Sequence, residues 1–135
     1  MTDPISTPHN FTPGAIAYQL GVAHATASAI QLVSMGLVAV AVLVAVRRCS
    51  AVASYLVAVI ASQLVSPILW DHYAMILLLP VAYLLSAGRW WAVAIPLVTA
   101  WPLVDITPPV AYLTAFWVTL GAVIATGWAR PVEAR

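Results

Sequence analysis

The sequence predicts an all-α membrane protein, a polytopic bundle of about five transmembrane helices. Of the 135 residues, 64% are hydrophobic and 7% are charged, whereas a soluble domain carries about 25% charged residues. The apolar residues also fall into stretches that approach the ~20 residues needed to cross a bilayer. Lysine and arginine together number five. They are too few and too scattered for a nucleic-acid surface, so we expect no nucleic-acid partner.

Five stretches match spanning helices: residues 23–46, 49–65, 73–87, 90–104 and 109–128. The second is expected to end before Pro67, because proline lacks a backbone N–H and disfavours helix at the preceding residue. Pro80 is expected to kink the third stretch. Pro109 has the fixed φ that suits the first turn of a helix, so the fifth stretch should begin there. Residues 15–21 fit a short interfacial helix.

The arginines predict the orientation of the bundle. They follow the first span, lie between the third and fourth, or follow the fifth: Arg47, Arg48, Arg89, Arg130 and Arg135. With five spans, all three places fall on one side, which the positive-inside rule assigns to the cytoplasm. The N-terminus is therefore expected outside and the C-terminus inside, in a multi-pass protein of the plasma membrane.

The predicted organisation has three parts: an irregular extracytoplasmic or interfacial segment at residues 1–22, a five-span membrane domain at residues 23–128, and a cytoplasmic tail at residues 129–135. The opening residues lack the layout of a secretory signal. An outside N-terminus of this kind is typical of the C-terminal part of a longer membrane enzyme. We therefore expect a fragment or one half of a split protein.

The run Pro-Ile-Leu-Trp-Asp-His-Tyr at residues 67–73 is the best candidate for a functional site. Ionisable side chains are costly at membrane depth, so the adjacent Asp71 and His72 are expected to face a cavity, a partner or the interface. Histidine can donate to a phosphate oxygen or relay a proton near neutral pH. Trp70 and Tyr73 fit stacking on a sugar. In the alternative interpretation, all four residues belong to the interfacial aromatic belt and its water.

Two further polar residues fall on the same predicted side. Asp105 is a candidate for the wall of the same cavity, although an aspartate before Thr-Pro-Pro is also ordinary turn chemistry. Asn10 is a candidate that approaches from the N-terminal segment. The three histidines and the single cysteine, Cys49, show no spacing typical of a metal site, and no nucleotide-binding motif occurs. We therefore expect no cofactor and no metal.

Residues 62–73 read Ser-Gln-Leu-Val-Ser-Pro-Ile-Leu-Trp-Asp-His-Tyr, and Leu-Leu-Leu-Pro follows at residues 77–80. This sequence resembles the polytopic GT-C glycosyltransferases of family 87, which include polyprenyl-phosphate-mannose-dependent α-1,2-mannosyltransferases. The C-terminal half of that family carries Ser-Pro-x-x-Trp-x-His-His/Tyr before a helix with Leu-Leu-Pro. The matching residues are Ser66, Pro67, Trp70, His72 and Tyr73.

The resemblance implies an extracytoplasmic site in the cell envelope that transfers a sugar, with mannose as the first expectation, from a polyprenyl-phosphate donor to a lipid-linked or glycan acceptor. It assigns His72 to the donor phosphate, with Asp71 beside it. The segment that contains Asn10 partly resembles an Asn-Gln-Ser-like segment of the family. The family's general base is an acid in an early extracytoplasmic loop, which has no counterpart here. The missing N-terminal half of the enzyme is therefore an expected partner, together with membrane lipid.

A non-catalytic five-span membrane protein, either a remnant or an assembly subunit, is the alternative. It predicts that the purified chain binds no polyprenyl-phosphate sugar.

Overall fold

The computed structural model describes residues 3–100 and 108–128. These residues form six α-helices, which are α1 (Pro13–Gln19), α2 (His24–Arg48), α3 (Ala51–Leu64), α4 (Leu78–Ser86), α5 (Ala94–Thr99) and α6 (Pro109–Gly127). Short 3-10 helices precede three of them: Pro4–Ser6, Asp71–Leu77 and Trp90–Val93. Within the two described ranges there is no β-strand. The prediction of an all-α fold is confirmed for this part of the chain.

Two helices are long and apolar enough to cross a membrane, α2 with 25 residues and α6 with 19. They coincide with the first and fifth predicted spans. In the folded chain, 17% of the most apolar 18-residue segment of α2 is buried, compared with 39% of the corresponding segment of α6. Most of the α2 surface therefore faces outward. The length and composition of these two helices are the structural indication of membrane association.

The second, third and fourth predicted spans form shorter helices. The third begins as the 3-10 helix Asp71–Leu77 and becomes α-helical at Leu78, in place of the kink expected at Pro80. Pro80 and Pro96 lie in the first turns of α4 and α5, where a missing N–H breaks no helical hydrogen bond. The prolines therefore divide these apolar stretches into short helices. The fourth stretch continues beyond residue 100, outside the described residues.

The core is centred on α3, which packs against both α2 and α6. Its largest fully buried side chains include Tyr112, Phe116, Ile60, Leu64, Leu69, Leu77 and Leu84. The last turn of α2, the start of α3 and the end of α6 meet at one end of the bundle. There, the Ser50 amide donates to the Gly127 carbonyl at 2.9 Å, and Cys49 pairs with Trp128 in an isolated β-bridge. Because α2 and α6 both end here, their first turns lie at the opposite end.

Gly127 allows α6 to approach α3 closely, since a Cβ at this position would overlap the Cβ of Ala53. We expect Gly127→Ala to destabilise the chain by about 1–3 kcal/mol, because the added methyl forces the helices apart. Gly121→Ala on the same helix is the matched control, since no atom lies within 4 Å of its added Cβ. Thermal unfolding of both variants in the same lipid nanodiscs measures the difference. Equal unfolding temperatures would contradict the close contact.

The N-terminal segment, predicted to be irregular over residues 1–22, is described from residue 3 onward and includes a 3-10 helix at Pro4–Ser6. It contains α1, which corresponds to the short helix expected at residues 15–21, and α1 packs against α2. A Cβ on Gly14 would lie 2.7 Å from the Ala27 carbonyl oxygen, so the two helices are in close contact. Asp3 Oδ2 lies 2.7 Å from His24 Nε2 at the start of α2. This hydrogen bond from His24 lowers the pKa of the Asp3 carboxyl below its ordinary value.

Candidate functional site

Asp71 and His72 occupy the first turn of the 3-10 helix Asp71–Leu77, which follows the extended residue Trp70. Asp71 Oδ1 accepts a hydrogen bond from the His72 backbone N–H at 2.7 Å and lies 3.3 Å from His72 Nδ1. The Asp71 side chain is 18% exposed and that of His72 is 65% exposed. The carboxylate is therefore sheltered, and the imidazole beside it is accessible.

A cavity of about 300 Å³, here called the apolar cavity, opens beside Asp71 and His72. Its other walls include Met75, Leu78 and Pro96, which are apolar. Thr99 also lines it, but its hydroxyl donates to the Ile95 carbonyl at 3.0 Å within α5. Asp71 and His72 thus supply the ionisable groups of this wall, among the residues that the structure describes. The volume lies at the lower end of the about 300–1,000 Å³ typical of small-molecule sites.

A second opening, here called the polar cleft, also has His72 in its wall and has a volume of about 410 Å³. Besides His72, it is lined by Ser62, Gln63, Ser66, Tyr73 and Ile76. The His72 and Tyr73 rings pack edge to face, with centroids 4.7 Å apart and an angle of 72° between their planes. His72 therefore forms part of the wall of both cavities.

Tyr112, in the first turn of α6, supports the backbone of this turn. Its buried hydroxyl donates a shared hydrogen bond to the carbonyl oxygens of Trp70 and Asp71, at 2.8 and 2.7 Å. Phe11 packs on the Tyr112 ring with centroids 4.7 Å apart, and the Phe11 amide donates to the Leu69 carbonyl at 2.9 Å. The turn that carries Asp71 is therefore held by α6 on one side and by the N-terminal segment on the other.

Asn10 completes this support. It is 0% exposed, and its side-chain amide donates to the carbonyls of Pro4 and Pro67 at 2.8 and 3.1 Å. Its Oδ1 accepts from the amides of Thr12 and Leu69 at 3.1 and 2.9 Å. These four bonds use the full capacity of the side chain. The structure thus places Asn10 in a buried network behind the site and not in a cavity wall.

The structure brings together four of the six residues selected from the sequence. Asp71 and His72 line the apolar cavity, His72 and Tyr73 line the polar cleft, and Trp70 is half-buried at the start of the turn. Asn10 lies behind them, and Asp105 lies outside the described residues.

Sequence reasoning did not identify the supporting residues Tyr112 and Phe11 or the cleft residues Ser62 and Gln63. Tyr112 follows the Pro-Pro pair that starts the fifth stretch, but nothing in the local sequence indicates which distant backbone its hydroxyl contacts.

Within residues 3–100 and 108–128, no group of three or more His, Cys, Asp or Glu side chains is placed to hold a metal ion. No protein-family model matches the chain, and neither a curated protein nor a solved structure matches it significantly. The function is therefore inferred from the geometry at Asp71 and His72 and from the sequence run at residues 62–80.

Proposed function

We propose that the chain is the C-terminal membrane part of a glycosyltransferase that transfers a sugar, in the first instance mannose, from a polyprenyl-phosphate donor to a lipid-linked or glycan acceptor. One observation carries the proposal. The sheltered Asp71 carboxylate and the accessible His72 imidazole lie together in the wall of a cavity whose other walls are mainly apolar. The His72 imidazole can donate to a phosphate, and the apolar walls match an isoprenoid chain.

In this proposal, His72 contacts the donor. An imidazole N–H donates to a phosphate oxygen and stabilises the charge that develops as polyprenyl phosphate leaves. Asp71, with Oδ1 3.3 Å from His72 Nδ1, favours a ring orientation in which Nε2 remains available. The acceptor hydroxyl forms the new bond to the anomeric carbon while the bond from that carbon to the phosphate oxygen breaks. The proton of the acceptor hydroxyl passes to the acid in the early extracytoplasmic loop, which the sequence resemblance implies.

The proposal includes five spans in the plasma membrane, with the site on the extracytoplasmic face. The arrangement of the bundle supports this topology. Arg47 and Arg48 lie in the last turn of α2, at the end where α6 also terminates. Tyr112 contacts the Asp71 turn from the first turn of α6, so the site lies at the other end. A cytoplasmic arginine end and an outer site then agree with the positive-inside rule.

The experiment measures binding of polyprenyl-phosphate mannose to the purified chain in phosphatidylcholine nanodiscs. We expect saturable binding, and we expect a polyprenyl mannoside, which keeps the sugar but lacks the phosphate, to bind about tenfold more weakly or worse, because charge-assisted hydrogen bonds to the phosphate are lost. Equal binding of the two lipids would contradict a phosphate contact at His72. Absence of binding would favour the alternative of a non-catalytic five-span membrane protein, a remnant or an assembly subunit.

A further inference from the structure

The polar cleft differs in chemistry from the apolar cavity, although His72 lines both. It lies at the C-terminal end of α3, with Ser62 and Gln63 in the last turn of that helix and Ser66 just beyond it. Ser62 Oγ donates to the Val59 carbonyl at 2.8 Å and accepts from Gln63 Nε2 at 3.1 Å. The hydrogen bond to Ser62 therefore fixes the position of the Gln63 side-chain amide in the wall of the cleft.

The described lining of the cleft is mainly neutral. Besides the His72 imidazole it contains no Asp, Glu, Arg or Lys side chain, whereas the wall of the apolar cavity includes the Asp71 carboxylate. The Ser62 and Ser66 hydroxyls donate to the carbonyls of Val59 and Ile68, so their oxygens accept from a ligand, whereas the Gln63 carboxamide can both donate and accept. This combination matches the hydroxyl groups of a neutral ligand. The Tyr73 ring adds an aromatic face against which the C–H groups of a sugar ring can pack.

We propose that the polar cleft is the subsite for an uncharged, polyhydroxylated group, the sugar of the acceptor, and that Gln63 and Ser62 bind its hydroxyl groups. The inference rests on the proposed function, because that reaction requires a donor and an acceptor to meet beside one residue. His72 is that residue, since it forms part of the wall of both cavities. The acceptor hydroxyl then approaches from the cleft while the donor chain lies in the apolar cavity.

The probe is methyl α-mannoside, and its binding to the whole chain in phosphatidylcholine nanodiscs is measured by saturation-transfer NMR. Gln63→Leu removes the carboxamide and is expected to weaken binding about three- to tenfold, the effect of losing a neutral hydrogen bond. Ser62→Ala should weaken it in the same direction. Ser86→Ala is the matched control, because Ser86 Oγ also donates to a carbonyl three residues earlier, that of Tyr83 at 2.8 Å, but Ser86 does not line the cleft.

Gln63→Glu keeps the size of the side chain and an oxygen that accepts from hydroxyl groups, but it loses the amide donor. Its binding should therefore lie between that of the wild type and that of Gln63→Leu, which separates loss of hydrogen bonding from loss of the fold. Methyl α-mannoside binding that is equal in the wild type and in Gln63→Leu would overturn the inference, as would a preference for mannose 1-phosphate that Gln63→Glu abolishes. If polyprenyl-phosphate mannose binds normally in that case, the proposed function stands and the cleft assignment fails. If the polyprenyl donor does not bind but methyl α-mannoside binding depends on Gln63, the proposed function fails and the cleft assignment stands.

Discussion

His72→Ala in the complete enzyme is expected to abolish sugar transfer, with a loss of about 100-fold or more, while expression and folding stay unchanged. In the proposed function, the substitution removes the imidazole that contacts the donor phosphate, and this side chain forms part of the wall of both cavities. The side chain is 65% exposed, so its truncation leaves no buried void. Transfer from polyprenyl-phosphate mannose in membranes that contain the enzyme measures the effect, and the amount of folded protein is measured in parallel.

His24→Ala is the matched control for this prediction. His24 lies at the first position of α2 and pairs with Asp3, and neither lines the cavities around His72. Its loss should leave transfer within about twofold of the wild type, because an exposed pair contributes little. Full activity in His72→Ala would remove the assignment of the site. An equal loss in His24→Ala would show that the effect is not specific to His72.

Asn10→Ala is expected to destabilise the chain by about 3 kcal/mol or more, because it leaves buried backbone groups without partners. The affected buried groups are the amides of Thr12 and Leu69, and the partly buried bonds to the carbonyls of Pro4 and Pro67 are lost as well. The link from the N-terminal segment to the turn that carries Asp71 would be lost at the same time. Thermal unfolding measures the stability, and hydrogen exchange at the Leu69 amide measures the local opening.

Gln19→Ala is the control within the same network. Gln19 Nε2 donates to the Asn10 backbone carbonyl at 2.9 Å, but the Gln19 side chain is exposed. Water replaces this bond, so a cost below about 1 kcal/mol is expected. Slow exchange at Leu69 in Asn10→Ala would contradict a supporting role for Asn10.

The two longest helices were predictable because their signals are local. Residues 23–46 and 109–128 are long apolar stretches, and they form α2 and α6. Pro109 begins α6 because a proline in the first turn gives up no helical hydrogen bond. The middle of the chain was less predictable. Hydropathy measures how apolar residues 73–104 are, but it does not show where a 3-10 turn replaces an α-helix.

The residues of the candidate site also differ in how far the sequence predicts their roles. Asp71 and His72 are neighbours in sequence, so an unusual charge in an apolar stretch identifies them without a structure. Asn10 was selected for its polarity, but its bonds to Pro67 and Leu69 join residues almost sixty positions apart. Tyr112 contacts Asp71 across 41 positions in the sequence. No periodicity encodes such pairs, so their supporting role became visible only in the folded chain.

Photo-labelling tests the central claim most directly, since it asks whether a polyprenyl-phosphate sugar occupies the cavity beside Asp71 and His72. The probe carries a diazirine on the isoprene unit next to the phosphate, and mass spectrometry maps the labelled residues. Labels on Met75, Leu78 or Pro96 are expected, because these residues line the apolar cavity. A competing apolar groove of about 540 Å³ lies between α5 and α6, with Trp91 and Val118 in its walls. Labels confined to that groove or to the outer face of α2 would contradict the assignment.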